Sequence, residues 1–168
     1  MTWWRRLVGG SAGRGTRPND YLAEALELES RGDYSNALTS YRLALRDDPD
    51  DVRVLQNIAI AFSKTRQPEE AIRTYRHALK VAPDLAGAHY GLAFLLLKRG
   101  DTAHAGLHLE AYLRHSTDTD AATARFRAHA QHTLDTLRDG AADGGVSAIL
   151  DAGPDVGSVD LPQTESEN

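Results

Sequence analysis

Apolar residues in this chain recur at steps of three and four, with polar residues filling the spaces between them. Leu55, Ile58, Ala59 and Phe62 form one such stripe, and Ala71, Ile72, Tyr75, Ala78 and Leu79 form the next. That period sets each group along one side of an α-helix. Punctuation falls between the stripes. Pro18 and Asn19 can open a helix, Gly32-Asp33 can turn it, and Asp47-Asp48-Pro49 can end its partner. Pro68 stands where a first helical residue belongs, because its missing N–H is not needed there. Gly100-Asp101 repeats the Gly32-Asp33 turn. The pattern predicts pairs of helices joined by short turns.

One stretch breaks the stripe. In GLAFLLLKRG, residues 91–100, the side chains of Leu92, Phe94, Leu95, Leu96 and Leu97 point in every direction around a helix. A helix that is apolar on all sides is normally covered on all sides, so this one requires neighbours around it. The run is far shorter than the roughly 20 residues a membrane-spanning helix needs.

Sliding the sequence by 34 residues superposes many of these positions. Ala25, Ala59 and Ala93 share a column, as do Ala37, Ala71 and Ala105; Leu28, Phe62 and Leu96; and Leu45, Leu79 and Leu113. Tyr41 falls on Tyr75 and then Leu109, Ala44 on Ala78, and Pro49 on Pro83. In period and in alternation of small with large residues this resembles the tetratricopeptide repeat, in three copies at about 18–51, 52–85 and 86–119. The resemblance implies an all-α, right-handed α-solenoid of three helical hairpins. The repeated alanines allow close backbone approach, Tyr41 and Tyr75 fill the space between units, and no hairpin buries its faces alone. Some positions depart from the family pattern: Glu24 stands for a usual leucine, Arg66 for a usual glycine, and Tyr112 and Thr117 for alanine and proline.

Beyond the third unit, Asp118 and Asp120 can cap a further helix over about 119–138. Its stripe Ala122, Phe126, Ala130, Leu134 and Leu137 is apolar, while Arg125, Arg127, His132 and Asp135 lie elsewhere on its surface. A terminal capping helix needs such a division, with one side for the last repeat and one for water. Residues 1–17, rich in Gly and Arg, and the acidic tail 139–168 show little periodicity and are expected to be disordered.

In the family the first helix of each unit lines a concave surface. The resemblance therefore places Leu22, Leu26, Ile60, Tyr90, Phe94 and Leu97 in an apolar strip along that groove, rimmed by Gln56, Asn57, Lys64 and Lys98. A contiguous apolar patch is a binding indication, and the expected guest is a partner's amphipathic helix or an apolar peptide. Two other uses of the strip stay open. Phe94 and Leu97 can pack against the capping helix, or the strip can mate with a second copy in a homo-oligomer. Repeat domains of this family that clamp the C-terminal carboxylates of heat-shock chaperones use Lys, Asn and Arg at places matching Leu22, Leu26, Asn57, Gly87 and Gly91. Only Asn57 fits, which argues against that use.

Charge and composition narrow the function further. Residues 1–19 carry four arginines and no acid, residues 139–168 carry seven acids and no Lys or Arg, and the body between them is nearly neutral. Mixed charges in the body give no clustered cationic surface for nucleic acid. The chain has no cysteine, which excludes disulfides and thiolate ligands and suits a cytoplasmic setting. His104 and His108 lie one turn apart, as do His129 and His132, but a metal site adds a third ligand. These histidines are expected to face solvent. GSAGRG at 10–15 has no preceding strand and fails the context of a dinucleotide fingerprint. No catalytic constellation, cofactor motif or metal-ligand set is evident. Trp3, Trp4, Arg5 and Arg6 are candidates for membrane contact, which would make the chain a peripheral assembly factor. The function expected from all this is a non-enzymatic scaffold or adaptor for a protein or peptide partner.

Overall fold

The computed structural model of the chain describes residues 18–46, 48–117 and 120–139. Its regular elements are helices: α1 (Pro18–Ser30), α2 (Tyr34–Ala44), α3 (Val52–Lys64), α4 (Pro68–Val81), α5 (Ala86–Lys98), α6 (Thr102–His115) and α7 (Ala121–Arg138). They pair as hairpins α1/α2, α3/α4 and α5/α6, each hairpin stacks on the next, and α7 closes the array against α6. The architecture is the expected all-α solenoid. The segment holding Trp3, Trp4, Arg5 and Arg6, and the acidic tail beyond Asp139, lie outside the described residues.

Local chemistry sets the helix boundaries. Asp33, Asp51, Asp101 and Asp120 each sit at an N-cap and accept from a backbone N–H two or three residues on: Asn36, Arg53 and Val54, His104, and Thr123 respectively. Each carboxylate satisfies an otherwise orphaned donor near the positive end of the helix dipole. α4 opens on Pro68 instead, with no side-chain cap.

The turns inside the three hairpins are one repeated device. The N–H groups of Asp33, Gln67 and Asp101 bond the carbonyls of Leu28, Phe62 and Leu96 at 2.8–2.9 Å, five residues back. This closure requires a left-handed residue just before the bonded N–H. Gly32 and Gly100 supply it at φ 77° and 79°, and Arg66 supplies it at φ 59°. The Arg66 departure therefore keeps the turn and carries the strain that glycine avoids.

The 34-residue columns become the core. Ala25, Ala37, Ala59, Ala71, Ala93 and Ala105 are all fully buried. Where these small residues bring helices together, Tyr41 and Tyr75 fill the gap between hairpins and are themselves enclosed. Gly91 is the tightest point, since a Cβ there would overlap the Tyr75 phenol ring. Nine of the thirteen residues of α5 are buried, which answers the uniform oiliness of GLAFLLLKRG. The helix lies between the second hairpin, its own partner α6 and the aromatic face of α7.

Two stability measurements check this reading. Arg66→Gly removes left-handed strain of about 1–2 kcal/mol, partly offset by the greater chain entropy of glycine. It should stabilise the fold by roughly 0.5–1 kcal/mol in urea denaturation, and destabilisation would contradict the turn geometry. Gly91→Ala should destabilise by about 1–3 kcal/mol through overpacking on Tyr75. Gly106→Ala in α6 should instead stabilise by roughly 0.5–1 kcal/mol, because its Cβ would meet only Leu134 Cδ2, at 4.0 Å.

Candidate interaction site

The ten groove residues separate by depth. On α1, Leu26 is 42% exposed and Leu22 is half-buried against the core. On α3, Asn57 and Lys64 are half-buried, whereas Gln56 and Ile60 are 4% and 8% exposed. On α5, Tyr90 and Leu97 are 4% and 3% exposed, Phe94 is half-buried and Lys98 is open. Of the six apolar residues expected to form the strip, Leu26 is exposed, Leu22 and Phe94 are half-buried, and Ile60, Tyr90 and Leu97 are buried.

Three arrangements account for the covering. α7 brings Phe126 edge-on to Tyr90 at a ring separation of 5.2 Å and stacks His129 on Phe94 at 4.8 Å. The Tyr90 hydroxyl also pairs with His129 Nδ1 at 2.8 Å. Gly87 lets α3 approach α5 closely, because a Cβ at that position would stand 2.8 Å from Gln56 Nε2. Ile60 and Leu97 then join one continuous core with Leu92, Leu95 and Leu96. Packing of Phe94 against the capping helix is what occurs.

Glu29, on the same helix as Leu22 and Leu26, belongs to a polar set that the hydrophobic columns did not disclose. The Tyr41 hydroxyl donates to Glu29 Oε2, and Asn57 of α3 acts on the same phenol, with a lowering effect. Burial pushes the Glu29 carboxyl above the usual range, against the lowering effects of Tyr41 and of the Lys64 charge. Burial, together with Glu29, pushes the Tyr41 phenol far above its ordinary value. Burial and the Glu29 charge do the same to Tyr75. Three helices therefore meet around one half-buried carboxylate. Its signal in the sequence was the position of Glu29 among the inward-facing residues of α1, but nothing linear joins it to Tyr41 and Asn57.

The histidines also differ from expectation. His104 is exposed and bonds the Asp101 carboxylate at 2.8 Å. His108 and His129 are half-buried instead of solvent-facing. His129 is held against Tyr90 and Phe94, and His108 against His89. Among the described residues, no group of three or more His, Asp or Glu is placed to hold a metal ion. None of the described helices is long and apolar enough to cross a membrane.

Comparison with known proteins agrees with this geometry. Residues 28–84 match the tetratricopeptide repeat family model. The chain is 32% identical over 100 residues to a tetratricopeptide repeat and J domain-containing co-chaperone of Cryptococcus neoformans, an alignment covering 60% of this chain and 19% of that protein. It is 32% identical over 89 residues to photosystem I assembly protein Ycf3 of a Synechococcus strain, covering 51% of each. The chain thus spans between a fifth and a half of the length of these relatives. Its fold superposes on the TPR2B domain of yeast Sti1, solved in complex with pHsp70, with a TM-score of 0.63 at 20% identity, covering 73% of this chain and 96% of that one. The repeated alanine columns, the recurrent left-handed turn and the stacked hairpins have one common explanation: the chain carries tetratricopeptide repeats, matched by the family model over residues 28–84.

Proposed function

We propose that the protein is a non-catalytic scaffold that holds a protein partner against the α1 end of its concave surface. The observation that carries this reading is Leu26, a large apolar side chain left 42% exposed on the helix that also carries half-buried Leu22 and Glu29, the latter acted on by Lys64. The partner presents an apolar side chain to Leu22 and Leu26 from an amphipathic helix or short peptide, and polar groups to Asn57, Lys64 and Lys98. Ile60, Tyr90, Phe94 and Leu97 act from below, as the wall that fixes the patch. Supporting the reading are relatives whose names describe a co-chaperone and an assembly protein.

Burying one leucine is worth about 1.5–3 kcal/mol, so a charge at its centre should be felt strongly. Full-length protein and its Leu26→Asp variant should be compared for partner capture from native lysate. Leu107→Asp serves as control, because Leu107 is 63% exposed on α6, outside the proposed patch. Leu26→Asp should lower capture at least tenfold with unchanged helical content, and Leu107→Asp should leave it intact. Equal capture by wild type and Leu26→Asp would remove the groove from the account. Phe94 is a poor probe, since it is packed into both core clusters and its loss would disturb the fold itself.

A further inference from the structure

His89 and His108 form a bonded pair of imidazoles that the scaffold reading does not use. His89 lies in the first turn of α5, is buried, and contacts His108 of α6 through their Nδ1 atoms at 2.9 Å. Its other nitrogen, Nε2, is 2.9 Å from the Pro83 carbonyl oxygen in the link between α4 and α5. A third ring, His115 near the end of α6, stacks on His89 at 5.9 Å.

The proton positions follow from these contacts. A carbonyl oxygen only accepts, so His89 carries its proton on Nε2 and presents a bare Nδ1. His108 must then donate from its own Nδ1. One added proton can settle on His108 Nε2 without breaking that bond. A second has to reach His89 Nδ1, which is the acceptor, and would leave two N–H groups facing each other. His89 therefore becomes charged only if the rings part.

We propose that the His89–His108 pair is a proton-sensitive latch that ties the α4–α5 link and the start of α5 to α6, closed at neutral pH and opened by acid. The surroundings favour the neutral pair. Arg76 on α4 and His104 on α6 act on His108, and Arg114 and His115 on α6 act on His89; each of these groups is basic. Burial and these charges hold His108 down to about 4, with burial the largest cause. Burial is also the main cause lowering His89, aided by His115 and Arg114 and opposed by the Pro83 bond. Both histidines are thus depressed in the folded state. The stability they contribute is fully present above the unfolded value of 6.5 and is lost as pH falls from there toward 4. Because α5 also carries Tyr90 and Phe94, opening the latch loosens the hairpin on which α7 rests.

The test uses full-length protein, nitrogen-detected NMR of the imidazoles, and urea denaturation between pH 7 and pH 5. At pH 7.5 His89 should appear as the Nε2–H tautomer and His108 as the Nδ1–H tautomer, and both should titrate below the ordinary value of 6.5. The wild-type folding equilibrium should weaken on the order of tenfold more over this interval than that of His108→Asn. Asparagine can donate to neutral His89 and accept from charged His89, so this variant keeps the contact and removes its proton dependence. Either histidine titrating at 6.5 or above, the opposite tautomers, or equal pH dependence in the two proteins would overturn the latch.

Discussion

Two helices can approach closely only where their facing side chains are small, and the whole array depends on that constraint. Its most demanding instance is the Tyr75 ring, which occupies the space that a side chain at Gly91 would need. The alanine columns establish the same closeness elsewhere. A hairpin built this way has apolar residues on both of its broad faces, so it is stable only when flanked. α5 shows the consequence most fully, with nine of thirteen residues buried among three neighbouring elements. Tight packing also transmits change, because a shift at one hairpin junction cannot be absorbed locally.

That closeness decides what remains of the groove. Residues on the inner helices that point toward the concavity are not automatically available to a guest. At the α5 end, α7 and the tight α3 contact enclose Tyr90, Leu97 and Ile60. At the α1 end, among the described residues, Leu26 stays 42% exposed, and Glu29 of the same helix bonds the Tyr41 hydroxyl. The proposed recognition belongs to the less buried residues of α1.

The helical hairpins, their caps and their stacking were legible in the sequence because each depends on local or periodic chemistry. Asp at an N-cap, glycine at a left-handed turn and alanine every 34 residues leave linear traces. Arg66 shows how strong that trace is, since the turn persists when glycine does not. The depth of the groove residues was not legible in this way. Periodicity shows that Tyr90 faces inward, but its burial depends on Phe126 and His129, 36 and 39 residues further on. The pairing of His89 with His108 likewise joins two helices through side chains of no shared periodic column. Solvent-facing histidine was a reading of one helix at a time.

The central claim is that the hairpins hold together through shared faces and have little stability of their own. Native-state hydrogen exchange of the full chain, resolved residue by residue, tests it most directly. Slowly exchanging amides of α3, α4 and α5 should share one opening free energy, equal to that of global unfolding, with the outer turns of α1 and α7 opening more readily. If α5 exchanged through its own, much cheaper opening while α3 stayed protected, the hairpins would be independent units and the account would be wrong.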